Sequence, residues 1–115
     1  MSGESDTEYL FRRHGEICAA ALELMEAKNH DYTNGQQTTG GAYANFMLTE
    51  HLGLGSAEKG MAIRMSDKMI RICTLISKEG KVKDESLEDT LRDMINYSIL
   101  MLTLRERRNS GDLHS

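Results

Sequence analysis

The chain has 115 residues and a formal net charge of −4, with 39% hydrophobic and 28% charged residues. This length suits a single domain, and the balance of residue types is that of a folded globular protein rather than a disordered one. The negative charge argues against binding to duplex DNA, because neutralising phosphates requires a clustered excess of Lys and Arg. The chain contains no proline and eight methionines, which favours an all-α fold.

The N-terminal segment and the two cysteines indicate where the protein is found and the redox state of its thiols. The first residues, MSGESDTEYLF, lack the basic and apolar segments of a signal peptide, and no run approaches the roughly 18 apolar residues of a membrane span. We therefore expect a cytoplasmic protein, in the host cytoplasm if a phage encodes it, with no membrane partner. Cys18 and Cys73 lie in apolar stripes rather than in a metal-ligand spacing, which predicts buried, reduced thiols.

The first predicted element is a long helix that begins after Ser5 and runs to about Lys28. Ser5 and Glu8 have the S-x-x-E spacing of a capping box. Apolar residues then recur at three- and four-residue steps, which predicts a core stripe. The stripe consists of Leu10, His14, Ile17, Cys18, Ala21 and Met25. Residues 29–42 are polar and show neither helical nor strand periodicity, so they predict a long loop of the kind that often carries function.

Three more helices are predicted after this loop. A short helix over about 43–51 ends at the glycines that follow, and Ser56 is the expected N-cap of a second long helix over about 57–79. Asp84 is the expected cap of a third, which runs to about 107 before a flexible tail, 108–115. The expected core stripes of the two long helices are Ala62, Met65, Met69, Ile72, Cys73 and Ile76, and Leu87, Leu91, Met94, Ile95 and Leu102.

The third long helix also predicts self-association. Residues 94–104 are apolar almost all round, which indicates more neighbours than a monomer of this size provides. We therefore expect a small helical bundle, with core residues 6–107 in one domain spanning 1–115, that forms a dimer or higher homo-oligomer.

Polar residues form a stripe on each of the last two helices. Arg64, Asp67 and Arg71 share one face of the second, which is also the pattern of a solvated ion-pair face. Asp89, Asp93 and Asn96 share a face of the third. Glu85 and Glu88 fit the first turn of that helix, where they complement its dipole. Asp93 and Asn96 lie where the helix becomes apolar, so we expect them to be partly buried and to require specific partners.

Four segments together resemble the nucleotide modification associated domain proteins of phages and bacteria, a MazG-like group of small helical proteins. The segments are KNHDY (28–32), ANF (44–46), RMSDKMIR (64–71) and VKDESLEDTLRDMINY (82–97). The resemblance implies a helical bundle that binds or processes a small-molecule nucleotide.

MazG-like pyrophosphohydrolases hold Mg²⁺ with acidic motifs on two helices. Mg²⁺ takes oxygen ligands and neutralises the phosphates while water attacks. Here the corresponding segments read Arg64-x-x-Asp67 and Ser86-x-x-Asp89, so an arginine replaces the first carboxylate. The resemblance implies Asp67, Glu85 and Asp89 as catalytic residues, and Asp67, Glu85, Asp89 and Asp93 as metal ligands.

The resemblance also implies a set of residues that contact the nucleotide. Basic side chains would bind phosphate, Asn45 would contact the base or sugar, and Phe46 or Tyr43 would stack on the base. The residues implied as substrate-binding are Lys28, Asp31, Tyr32, Asn45, Phe46, Arg64, Lys68, Arg71, Asn96 and Tyr97. For Asp31 and Asn45, turn and cap chemistry is an equal alternative. The sequence contains no zinc spacing, glycine-rich phosphate loop or nucleophile signature.

Three functional hypotheses follow. The first is a Mg²⁺-dependent nucleotide pyrophosphohydrolase of phage-type nucleotide metabolism. The second is a protein that binds and sequesters a nucleotide or cyclic nucleotide without turnover, which Arg64 favours because a cation repels Mg²⁺ and attracts phosphate. The third is a helical interaction module that contacts another protein through exposed methionines.

Overall fold

All regular structure in the described residues is helical. The structure, a computed structural model, describes residues 3–33, 41–77 and 86–112, except for the side chains of 31–33. Its helices are α1 (Asp6–Thr33), α2 (Ala44–His51), α3 (Ala57–Ser77) and α4 (Leu87–Ser110), and a 3₁₀ turn (Gly41–Tyr43) precedes α2. The all-α prediction is confirmed for these ranges. No helix within them has the length and apolarity that a membrane crossing requires.

The chain divides into two compact units, Met1–Gly35 and Gln36–Ser115, and the first is built on α1. The predicted capping box is confirmed. The amide of Ser5 donates to Glu8 Oε1, and the amide of Glu8 donates to Ser5 Oγ, both at 3.1 Å. The predicted end at Lys28 was wrong, because α1 continues through Thr33. Residues 29–33 contain neither proline nor glycine, so loss of the apolar stripe after residue 28 does not by itself end the helix.

The second unit contains α2, α3 and α4. Helices α3 and α4 run antiparallel, since the first turn of α3 contacts the last turns of α4, and α2 packs against α3. The core is formed by Met47 of α2, Ala57 and Met61 of α3, and Leu104 of α4. These side chains share one small cluster because each helix contributes its apolar face to the same side.

The start of α4 differs from the prediction. Ser86, not Asp84, is the N-cap, and its hydroxyl accepts the amide hydrogen of Asp89 at 3.0 Å. Asp84 and Glu85 lie outside the described residues. The helix ends at Gly111, whose φ of 75° suits glycine at a helix terminus. The predicted end at about 107 was therefore early.

Much of the expected core stripe of α3 and α4 is exposed. The exposed members include Met69, Ile76, Leu91 and Leu102. Helix α3 has apolar residues on two faces, and the face carrying Met61 and Leu75 is the one that packs. Cys18 and Cys73 are also exposed, so the prediction of buried thiols was wrong. The uncovered apolar faces are compatible with the expected oligomer, which stays a prediction.

Candidate functional site

An ion pair joins the middle of α3 to the middle of α4. The ammonium Nζ of Lys68 lies 2.8 Å from Asp93 Oδ2, with side-chain exposures of 19% and 16%. Lys68 and Asp93 were both expected to take part in ligand or metal binding. Their contact brings the polar stripe of α3 against that of α4.

The α3 stripe consists of Arg64, Asp67, Lys68 and Arg71, which we call the basic edge. Asp67 and Lys68 are three and four positions after Arg64, and Arg71 is four and three positions after them, so the four residues share one side of the helix. Lys68 points toward α4, whereas Arg64, Asp67 and Arg71 are exposed. Because Asp93 offsets Lys68, the edge has Arg64 and Arg71 against Asp67, and this net positive charge attracts an anion such as phosphate.

The α4 stripe consists of Asp89, Asp93 and Asn96, which we call the acidic edge. Asn96 is buried, as expected from its place in the apolar part of the helix. Asp89 is 65% exposed and forms an ion pair with Arg92 on its own helix, at 3.1 Å. The two aspartates thus differ in environment, since only Asp93 is largely withdrawn from solvent.

Two aromatic residues of the expected site lie next to the acidic edge. Tyr97 is one helical turn beyond Asp93. Its ring meets that of Phe46 of α2 edge-on, with centroids 6.2 Å apart and planes at 81°. Phe46 and Tyr43 pack against the core, and the Tyr43 hydroxyl donates to Thr103 Oγ1 at 2.6 Å. Phe46 therefore has a structural role, and base stacking by it stays a prediction.

The remaining expected site residues are Lys28, Asp31, Tyr32, Asn45 and Glu85. Asn45 is exposed in the first turn of α2, and Lys28 is half-buried near the end of α1. Asp31 and Tyr32 belong to α1 rather than to the loop in which they were expected, and their side chains lie outside the described part. Glu85 also lies outside it. Their roles as ligand or metal contacts stay predictions.

The comparisons with known proteins identify the family. A family model described as nucleotide modification associated domain 1 matches residues 28–104. The chain belongs to this family. The match covers the basic edge, the acidic edge and the aromatic pair of this nucleotide modification associated domain. No curated protein and no solved structure matches it.

The described carboxylates form no metal site of their own. Among residues 3–33, 41–77 and 86–112, no three or more His, Cys, Asp or Glu side chains are grouped to hold a metal. Asp93 and Asp89 each have a basic neighbour, Lys68 and Arg92. Mg²⁺ is commonly bound by one or two carboxylates together with substrate phosphates. Mg²⁺ binding by Asp67, Glu85, Asp89 and Asp93 stays a prediction.

A second polar cluster, which sequence reasoning missed, lies where α2, α3 and α4 meet. A cavity of about 670 Å³ is lined there by Glu50, Gly53, Gly55, Ser56, Glu58, Arg105 and Arg108. The Glu50 carboxylate accepts the amide hydrogen of Ala57 at 2.7 Å, and Ser56 Oγ accepts that of Lys59 at 3.1 Å. The start of α3 is thus capped from within the chain. No local pattern links Glu50 to Arg108, which is 58 positions away.

Proposed function

We propose that this nucleotide modification associated domain binds a nucleotide through its phosphates at the basic edge of α3. The observation that carries the proposal is the Lys68–Asp93 ion pair, which joins the basic edge to the acidic edge in the part of the chain that the family model matches. Arg64 and Arg71 are exposed residues on the same edge. Arginine forks match phosphate oxygens in pairs, and Lys68 supplies a point charge between them.

The other expected contacts fit the same proposal. Asn96 and Tyr97 lie one turn after Asp93 on α4, and we expect their amide and phenol groups to hydrogen-bond to a sugar or base. Phe46 of α2 meets Tyr97, and Asn45, Lys28, Asp31 and Tyr32 stay contacts that the family resemblance implies. In this proposal the protein binds the nucleotide, or a cyclic nucleotide, and does not turn it over, since Arg64 occupies the position of a metal-binding carboxylate in the MazG-like pattern.

A second candidate function is MazG-like pyrophosphate release. The observation in its favour is that Asp89 and Asp93 lie one turn apart on one side of α4, and that Asp93 contacts α3, the helix that carries Asp67. With Glu85, these carboxylates would hold Mg²⁺ and position the water for attack.

The experiment is a screen of nucleoside mono-, di- and triphosphates and cyclic nucleotides, each with and without Mg²⁺. Melting temperature and pyrophosphate release are read in the same wells. A rise in melting temperature without pyrophosphate supports binding alone. Pyrophosphate release that Asp89→Asn abolishes supports the hydrolase instead, since exposed Asp89 can be changed without disturbing the fold. If no well shows a rise in melting temperature or pyrophosphate release, both proposals are overturned and the third hypothesis, an interaction module, is left.

A further inference from the structure

A histidine and a cysteine lie side by side on α1. His14 and Cys18 are one helical turn apart, both are exposed, and His14 Nδ1 lies 3.8 Å from Cys18 Sγ. Tetrahedral Zn²⁺ holds sulfur at about 2.3 Å and imidazole nitrogen at about 2.0–2.1 Å, which sets two such ligand atoms about 3.6 Å apart. The pair therefore already has nearly the separation of two ligands of one zinc ion.

This pair is half of a zinc site. Structural zinc has four protein ligands, and within the described residues no third His, Cys, Asp or Glu side chain is grouped with these two. A second copy of the chain supplies the missing ligands when its own His14 and Cys18 meet the first pair. The set is then two cysteines and two histidines, which is one of the ligand sets of structural zinc.

The surface around the pair suits a second α1 that packs antiparallel. The stripe beside His14 consists of Phe11, Gly15, Cys18 and Leu22, which follow at four-, three- and four-residue steps. Because these steps read the same from either end, a two-fold axis at the middle of the stripe sets Phe11 against the copy's Leu22. The same axis brings the two His–Cys pairs together. Phe11 and Leu22 are 70% and 56% exposed, so the contact buries apolar surface.

The charged side chains of this part of α1 do not oppose the contact. Arg12 and Arg13 both pair with Glu16, at 3.1 and 2.6 Å, on another side of the helix. A Cβ added to Gly15 would meet nothing within 4 Å, so the space beside Cys18 is open. A metal ion thus reaches the pair without meeting a competing cation on the stripe.

We propose that His14 and Cys18 form a zinc site shared between two copies of this chain. Zn²⁺ binds Nδ1 of His14 and the thiolate of Cys18 from each copy, and the two thiol protons pass to solvent as the metal–sulfur bonds form. The site goes beyond the proposed nucleotide binding and does not depend on it, since both residues precede the part that the family model matches. One His-x-x-x-Cys spacing supplies only two ligands, so the sequence alone did not indicate zinc.

Titration of the reduced protein with Zn²⁺, in competition with a chromophoric chelator, measures the stoichiometry and the affinity. We expect one Zn²⁺ per two chains, and light scattering should show twice the mass that the protein has in EDTA. Co²⁺ in place of Zn²⁺ should give the absorption bands of a tetrahedral site with thiolate ligands. One Zn²⁺ per chain, or a mass that Zn²⁺ leaves unchanged, overturns the shared site.

Matched variants assign the ligands. Cys18→Ala and His14→Ala should each weaken Zn²⁺ binding by about 100-fold or more and abolish the doubling of mass, since the shared site loses two of its four ligands. Cys73→Ala and His51→Ala are the controls, because both residues are exposed on other helices, and each should bind Zn²⁺ as wild type does. Circular dichroism should show all four variants folded, since all four positions are exposed. Equal losses in Cys18→Ala and Cys73→Ala, or no Zn²⁺ binding by the wild-type chain, overturn the assignment.

Discussion

Arg108 and Glu58 join the end of α4 to the first turn of α3. The guanidinium Nε of Arg108 donates to both carboxylate oxygens of Glu58, at 3.0 and 3.2 Å. Arg108 also donates to Glu50, at the end of α2. One side chain of α4 thus bonds to both α2 and α3, and hydrogen bonds between charged groups are the stronger kind.

Arg108→Met should lower the free energy of unfolding by about 1–3 kcal/mol, because two partly buried carboxylates lose a shared partner. Urea denaturation followed by circular dichroism measures the change. Arg107→Met is the matched control, since Arg107 is exposed on the same turn, and should stay within about 0.5 kcal/mol of wild type. Equal losses in the two variants would show that the contacts of Arg108 do not stabilise the fold.

The same cluster makes stability depend on pH. Partial burial raises the pKa of Glu58, but hydrogen bonds from Arg108 and from its own backbone amide, with the charges of Arg108 and Arg105, outweigh this and hold its pKa below the ordinary value. Hydrogen bonding to Glu58 and the nearby carboxylates also raise the pKa of Arg108. A lowered carboxyl pKa stabilises the fold above the unfolded-state pKa and stops doing so as pH falls through the folded-state value.

The free energy of unfolding of wild type should therefore exceed that of Glu58→Gln by the whole contribution of the Glu58 charge at about pH 7. This difference should shrink below about pH 4. Urea denaturation of both proteins across this range measures it. Taking the difference between the two proteins removes the contributions of carboxylates that they share. A difference that stays constant down to about pH 3 would contradict the assignment of the stabilisation to the charge of Glu58.

Two helical glycines should respond to alanine in opposite directions. A Cβ on Gly60 of α3 would lie 2.9 Å from Thr49 Oγ1 of α2, whereas one on Gly15 of α1 would meet nothing within 4 Å. Gly15→Ala should stabilise by about 0.5–1 kcal/mol through helix propensity. Gly60→Ala should destabilise by about 1 kcal/mol, because overpacking outweighs that gain.

Thermal melts of the single variants and of Gly60→Ala/Thr49→Ala check the steric cause. Removing Thr49 Oγ1 takes away the contacting atom, so the double variant should recover most of the loss caused by Gly60→Ala. A loss that persists in the double variant would point to the backbone of α3 rather than to its contact with α2.

The sequence predicted features that depend on neighbouring residues. The capping box of Ser5 and Glu8 and the cap by Ser56 involve bonds over three positions, and all are confirmed. Hydroxyl and carboxylate side chains satisfy the free amides of a helix start whatever the rest of the fold does. The beginning of α4 was placed wrongly because Asp84 and Ser86 are both good caps, and local chemistry did not separate them.

Features that depend on distant residues were not predictable in the same way. Helix α3 has apolar side chains on two faces, so periodicity alone did not indicate that Met61 rather than Met69 would be buried. The Lys68–Asp93 pair depends on the register of α3 against α4, which packing in the core determines. The stripes indicated which polar residues share an edge, but not that Asp93 already has a cationic partner.

The two arginines of the basic edge should determine the affinity for a nucleotide. Arg64 and Arg71 are exposed, so Arg64→Gln and Arg71→Gln should each leave the free energy of unfolding within about 0.5 kcal/mol of wild type. Each should weaken nucleotide binding by about tenfold or more, because a charge-assisted contact to phosphate is lost. The loss should grow from mono- to triphosphate, since more phosphate oxygens then depend on the edge.

Calorimetric titration measures the Kd values of these variants. Lys59→Gln, on another face of α3, is the control and should bind as wild type does. Equal losses for all three variants would mean that net charge, rather than the basic edge, governs binding.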